Sequence, residues 1–350
     1  MMMDEEHRVL ESVVGEFASK ELEPINKQIE LEGIPKELKK RLSSQGFLGA
    51  LAPYDLGGAS LDRLGYSILL KQLASASPSV AFYVFLENSF VIKSILLKNE
   101  VREKIGLISG GEISGTFYYS HLLNFLEPGE IKKIDSKLTG KLNAVINSEA
   151  NLFIVPADDG KFYLVESGFH PLDEHEKLGF RGLRFSPVKF DTSIKDAIEI
   201  PLNVDELIDD THLPISAIAI GIAQGALNKA IEYAKERSAF LHKLKDFQPL
   251  AFGMAQAYSQ LDILNEYLIN IAQGERDIKK ELMLKIISID FARDVSKLAL
   301  QVHGGYGYLM DFGIEKYYRD AMFLSILGGN HLDEKMKLSS LIFQEKAGWI

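Results

Sequence analysis

Gln301-Val302-His303-Gly304-Gly305-Tyr306-Gly307-Tyr308 is followed by Glu315-Lys316-Tyr317-Tyr318-Arg319-Asp320, and then by Ile326-Leu327-Gly328-Gly329-Asn330. The first segment ends a helix that runs to about Gln301, because Gly304-Gly305 is a strong C-terminal stop. Glycines without side chains also let backbone N–H groups approach an anion closely. Upstream, Leu250, Met254, Ala257, Leu261, Leu264, Leu268 and Ile271 alternate spacings of four and three, the apolar stripe of a bundle helix. Ile220, Ala223, Leu227, Ala230, Ile231 and Ala234 form a second stripe, on a helix where Ala217, Gly221 and Gly225 permit a close neighbour.

Before these helices the period changes. Leu152–Val155 and Phe162–Val165 are short apolar runs separated by Asp158-Asp159-Gly160, a hairpin signal. Residues 111–205 therefore read as a small, shortened β domain. Residues 1–110 read as helical: Val13, Phe17 and Leu22 lie on an amphipathic segment ended by Pro24, a second segment follows Pro35, Leu56-Gly57-Gly58 is a turn, and residues 61–76 are helical in pattern. Residues 206–350 form the third unit, expected to resemble a four-helix bundle. The fold class is α+β.

Composition narrows function. The 350 residues carry a net charge of −10 and 46% hydrophobic residues, which suits a soluble globular chain of two or three domains and disfavours binding to nucleic acid or an anionic membrane. With no cysteine, disulfides, thiolate metal sites and cysteine nucleophiles are excluded. The acidic N-terminus lacks the apolar region of a secretory signal, and the most apolar run, Ile215 to Ala223, is too short for a bilayer. The expectation is a cytoplasmic protein. His170, His175 and the acids between them match no standard metal-ligand order and read as a solvated loop. Gly57-Gly58 and Gly110-Gly111 lack the strand–helix context of a phosphate loop. Arg319-Asp320 reads as a structural ion pair.

The C-terminal run resembles the signature of the acyl-CoA dehydrogenase family, Q-x-x-G-G-x-G-Y, E-[RK]-x-x-R-D-A and I-Y-E-G-T, without a gap. Gly46–Pro53 with Gly57-Gly58, Lys177–Gly182, and Arg237–Phe240 with Phe247-Gln248 resemble further family motifs in the same order, with Leu241 where glycine is usual. The resemblance implies an N-terminal helical domain, a middle β domain and a C-terminal helical bundle, and an FAD-dependent oxidoreductase of fatty acid metabolism acting on the CH–CH group of an acyl-CoA. It implies that Arg237, Phe240, Gln301, Gly304 and Gly305 contact the adenosine and pyrophosphate part of an FAD held across a subunit interface, in a homo- or hetero-oligomer such as a tetramer. Ser120 and Asn330 take the positions of flavin contacts. Asp209 and His212 take positions near the acyl-CoA, where an N-cap role is the plainer reading of Asp209 or Asp210.

The departures matter as much. The family's Glu of E-G-T, the base that removes the α-proton while hydride leaves the β-carbon, is Gly328, and the alternative base position is Thr211. A positioned base contributes typically about 10²–10⁴-fold. The strand motif W-[IV]-[ST] that backs the flavin reads Ala144-Val145-Ile146. The catalytic base is therefore unassigned; Asp333 and Glu334 are candidates for a displaced one, with helix first-turn acids as the plainer account. Losses fall on residues serving the chain's own flavin ring and substrate, and retained residues serve a neighbour's FAD. Three functions follow: an FAD-dependent oxidoreductase, a catalytically incomplete subunit completing a partner's FAD site, or a CoA-binding protein without redox activity.

Overall fold

The computed structural model describes residues 3–119, 127–327 and 332–344. Ser120, Gly328 and Asn330 lie outside these. The N-terminal part holds α1 (Glu5–Phe17), α2 (Asn26–Glu32), α3 (Lys36–Ser44), α4 (Arg63–Ala76), α5 (Pro78–Phe85), α6 (Lys93–Leu96) and α7 (Glu103–Ser109). Asp4 caps α1 by accepting from the His7 backbone N–H at 2.9 Å. The His7 ring then bridges Asp4 and Asp62, the residue that caps α4. From α5 the chain continues through a π-helical turn, Leu86–Ile92, into α6. This run, Pro78–Leu96, is long and apolar enough to cross a membrane, yet 89% of it is buried inside the fold, so it is the core helix.

The middle part contains β1 (Gly115–Phe117), β2 (Gly129–Ile134), β3 (Lys137–Ile146), β4 (Leu152–Pro156), β5 (Phe162–Val165), β6 (Phe169–Pro171), β7 (Phe185–Ser193) and β8 (Ala197–Ile200). One sheet has the order β1-β4-β5-β8, with β1 parallel to β4; the other has the order β2-β3-β7-β6. The expected hairpin is β4–β5, pairing Phe153 with Val165 and Pro156 with Phe162. Successive residues of β4 point to opposite faces. Leu152 and Ile154 join the helical core, whereas Phe153 and Val155 join a second core between the sheets. Burial on both faces explains an apolar run without alternation.

The C-terminal part holds α8 (Val204–Asp209), α9 (His212–Glu236), the two-residue strands β9 (Ser238–Ala239) and β10 (His242–Lys243), α10 (Gln248–Gln273), α11 (Ile278–His303), α12 (Glu315–Leu324) and α13 (Leu332–Phe343). Of the expected α10 stripe, Met254, Ala257, Leu261, Leu264, Leu268 and Ile271 are buried, and Leu250 at its start is half-buried against the same core. α9 packs on α10, α11 and α12, but also along α4, so the N- and C-terminal helices share one core.

Phe240 and Leu241 form the turn between β9 and β10, both in the left-handed region, with φ of 50° and 67°. That geometry favours glycine, the family's residue at Leu241. Leu241 is fully exposed and gains nothing from its side chain. Leu241→Gly is expected to raise stability by about 1 kcal/mol in urea denaturation. A loss of stability would show that the turn is not strained.

Candidate functional site

The elements converge on one apolar cavity. The end of β1 and the residues after it supply Phe117, Tyr118 and Tyr119, and the end of β3 supplies Ala144 and Ile146. Phe82, Phe85, Leu86 and Phe90 come from α5 and its π-helical extension, Ile215 from α9 and Leu327 from the chain after α12. Its place is the one the resemblance implies, between the strand that should back a flavin and the residue preceding the base position. The cavity, however, measures only about 20 Å³. A ligand pocket holds roughly 300–1,000 Å³, and this space suffices for no more than about one water, which needs roughly 10–15 Å³. Aromatic rings fill it: Phe90 stacks on Phe117 at 4.8 Å, and Phe117 on Phe162 at 5.6 Å. The nearby polar groups are already engaged. Tyr118 donates its hydroxyl to the Pro128 carbonyl, and Thr116 donates to the Ile146 carbonyl. An isoalloxazine ring does not fit between these walls.

A second, larger space adjoins it. Leu178, Gly179, Phe185, Met322, Phe323 and Ile326 enclose an apolar cavity of about 360 Å³, rimmed by His175, Glu176 and Lys177. Its shape is set by the Glu315–Asp320 motif. Arg319 pairs with Glu30 at 2.7 Å and Glu315 at 3.2 Å and donates to the Leu178 carbonyl. This corrects the expected Arg319–Asp320 pair: Asp320 instead accepts from the Phe180 backbone N–H at 2.5 Å. A Cβ at Gly179 would lie 2.4 Å from the Arg319 carbonyl oxygen, so the loop reaches α12 only because this residue is glycine. Burial pushes the Asp320 carboxyl up and the Lys316 ammonium down, and their attraction opposes both shifts. The motif is a structural clamp joining α2, α12 and the loop before β7.

The candidate adenosine contacts lie elsewhere, on an exposed rim where α9 and α11 end together. The His303 ring stacks on Tyr233 at 4.2 Å, and the Arg237 guanidinium sits 5.4 Å over the Tyr306 ring. Phe240 is 88% exposed, Gln301 is exposed, and a Cβ at Gly304 or Gly305 would meet nothing within 4 Å. Arg237 provides a forked donor suited to phosphate oxygens, and the open backbone at the glycines suits an anion. None of these residues lines either cavity.

The base candidates are placed as follows. Thr211 is buried and donates its hydroxyl to the Ile208 carbonyl at 2.6 Å. Glu334 is turned into the bundle against Lys285, and Asp333 is exposed; both belong to the first turn of α13. Neither lines the cavities, and no carboxylate among the described residues lines the smaller one. Asp209 and Asp210 are not N-caps. Asp209 is held by Lys337 and lies 3.4 Å from the buried His212, while Asp210 pairs with Lys93 and Arg276. Burial would raise the Asp209 carboxyl, but His212 and Lys337 outweigh it and hold it at about 2. His212 is kept below its usual range by burial, against the pull of Asp209.

Sequence reasoning missed Glu87. It is fully buried in the π-helical turn behind the cavity wall, and both its oxygens face the Gly115 backbone N–H, at 2.9 and 3.1 Å. The available signal was a lone acid inside an apolar helical run. No group of three metal-ligating side chains occurs among the described residues, His170 and His175 included.

Comparison with known proteins follows the same lines. The family model for the acyl-CoA dehydrogenase N-terminal domain matches residues 4–101, and that for the acyl-CoA dehydrogenase C-terminal domain matches residues 204–332. A 3-(aryl)acrylate reductase of Clostridium sporogenes is 26% identical, over 97% of this chain and 99% of that protein. The caffeyl-CoA reductase-Etf complex subunit CarC of Acetobacterium woodii is 26% identical, over 99% and 100%. Among solved structures, a glutaryl-CoA dehydrogenase from Mycobacterium smegmatis in complex with FADH2 superposes with a TM-score of 0.88 at 18% identity, covering 99% of this chain and 97% of that one; at that identity it speaks for the fold alone.

Proposed function

The chain belongs to the acyl-CoA dehydrogenase family, a family of oxidoreductases that generally bind FAD, and from that premise we propose that it is the incomplete subunit of a mixed oligomer. The reaction class is oxidation or reduction at the CH–CH bond of an acyl-CoA. In this reading the partner supplies the flavin-ring pocket and the base. This chain supplies Arg237, Phe240, Gln301, Gly304 and Gly305 to the adenosine end of the partner's FAD, and a tetramer in the cytoplasm is the matching assembly. One observation carries it: the cavity where the chain's own flavin and substrate would meet is about 20 Å³ and walled by phenylalanines, while the rim residues stand exposed.

A second reading, an FAD enzyme active alone with a displaced base, draws on the 360 Å³ apolar cavity beside Ile326. That volume falls in the range of a cofactor site. The visible spectrum separates the two. The chain is purified alone, incubated with excess FAD and desalted. A colourless protein that turns yellow only when co-purified with a family member supports the mixed oligomer. A flavin band retained by the single chain overturns it in favour of the second reading. Arg237→Ala in the mixed oligomer is expected to lower bound flavin without lowering this chain's own thermal stability, because the side chain is exposed.

A further inference from the structure

The 360 Å³ apolar cavity has a polar neighbour. A groove of about 510 Å³ lies between the end of α2 and the loop before β7, and His175, Glu176 and Lys177 wall both spaces. That shared wall is pinned in place. The His175 backbone N–H donates to the Phe185 carbonyl at 2.9 Å, and Lys177 pairs with Glu174 at 2.7 Å. On the cavity side, Leu178, Phe185, Met322, Phe323 and Ile326 carry no side-chain hydrogen-bonding group beyond a thioether, and the Leu178 carbonyl is taken by Arg319. On the groove side most acids are engaged: Glu30 with Arg319, Glu32 with Gln28, and Glu174 with both Lys177 and Arg184. Arg181 lines the groove half-buried. Its Nε donates to the Lys177 carbonyl at 3.3 Å, and its guanidinium pairs with no carboxylate among the described residues.

We propose that cavity and groove together form a site for a small amphiphilic carboxylate, whose apolar body enters the cavity while its carboxylate meets Lys177 and Arg181. A guanidinium fork matches the two oxygens of a carboxylate. Lys177 has donors beyond the one given to Glu174. The cavity volume is that of a small-ligand site, and Met322 adapts its walls to the shape of the body. A flavin ring suits this space less well, because its carbonyl and N–H edge would be buried against walls without partners. The site goes beyond the mixed-oligomer reading and does not rest on it.

Isothermal titration of the full chain with decanoate, before any FAD is added, tests this. One decanoate is expected to bind per chain. Met322→Trp fills the cavity and is expected to abolish binding; Ile326→Phe, a smaller insertion, takes its place should that variant fail to fold. Lys177→Gln and Arg181→Gln are each expected to weaken binding by about tenfold, and Lys177→Arg to retain it. Glu176→Gln removes an exposed like charge from the rim and is expected to tighten binding by about twofold to threefold; disturbed local structure would not tighten it. The absence of saturable heat, or binding that neither the cavity-filling variant nor Lys177→Gln alters, overturns the proposal. The readout involves no flavin, so its failure is distinct from that of the mixed-oligomer reading, which is judged by flavin retained on co-purification.

Discussion

Gly225→Ala is expected to destabilise the chain by about 3 kcal/mol or more, as measured by urea denaturation. A Cβ there would lie 2.1 Å from the Ser75 carbonyl oxygen and 2.6 Å from Cε1 of Tyr317. Neither neighbour yields cheaply. Ser75 is part of the α4 backbone, and its carbonyl accepts the Tyr317 hydroxyl at 2.7 Å. One methyl group therefore pushes on α4 and α12 from within α9. Gly221 repeats the contact one turn earlier, 2.3 Å from the Lys71 carbonyl oxygen. Gly305→Ala is the contrasting change, with open space around the added carbon, and is expected to leave stability unaltered. Should Gly225→Ala melt like the wild type, the α4–α9 contact is not set by backbone approach.

That contact shows what the sequence makes legible. Small residues on a helical stripe announce a close neighbour, and apolar runs around Asp158-Asp159-Gly160 announce a hairpin, because both depend on local period and turn chemistry. The identity of a partner does not. Nothing in the order of residues says that α9's close neighbour is α4, that Arg319 chooses Glu30 over Asp320, or that Asp209 is held by a lysine 128 residues away. The candidate rim was legible since its residues sit in motifs at the ends of two helices. Closure of the cavity was not. Phe82, Phe90, Phe117 and Phe162 come from separate elements, and each taken alone is an ordinary core residue.

The relative stability of Glu87→Gln should depend on pH in a way that isolates one buried carboxyl. Burial pushes Glu87 from the usual 4.5 up to about 8, against the Gly115 N–H, Lys39 and Tyr83, which favour its ionised form. Below pH 4.5 the group is protonated in both folded and unfolded chains, and no penalty arises. Between about 4.5 and 8 the unfolded chain loses this proton while the folded chain keeps it, so stability falls as pH rises. Above about 8 both forms are ionised and the loss levels off, at up to about 5 kcal/mol. The amide introduced by Glu87→Gln cannot titrate, yet its oxygen can still accept from Gly115. The advantage of this variant over wild type is thus expected to grow from pH 5 to pH 8 and then stay constant, measured by urea denaturation across that range. Parallel stability curves would mean that Lys39, whose ammonium lies 5.0 Å from the Tyr83 ring centre, keeps the carboxylate ionised throughout. The site is exposed to the same effect, because Glu87 holds the first residue of β1, and the far end of β1 carries Phe117 into the cavity wall.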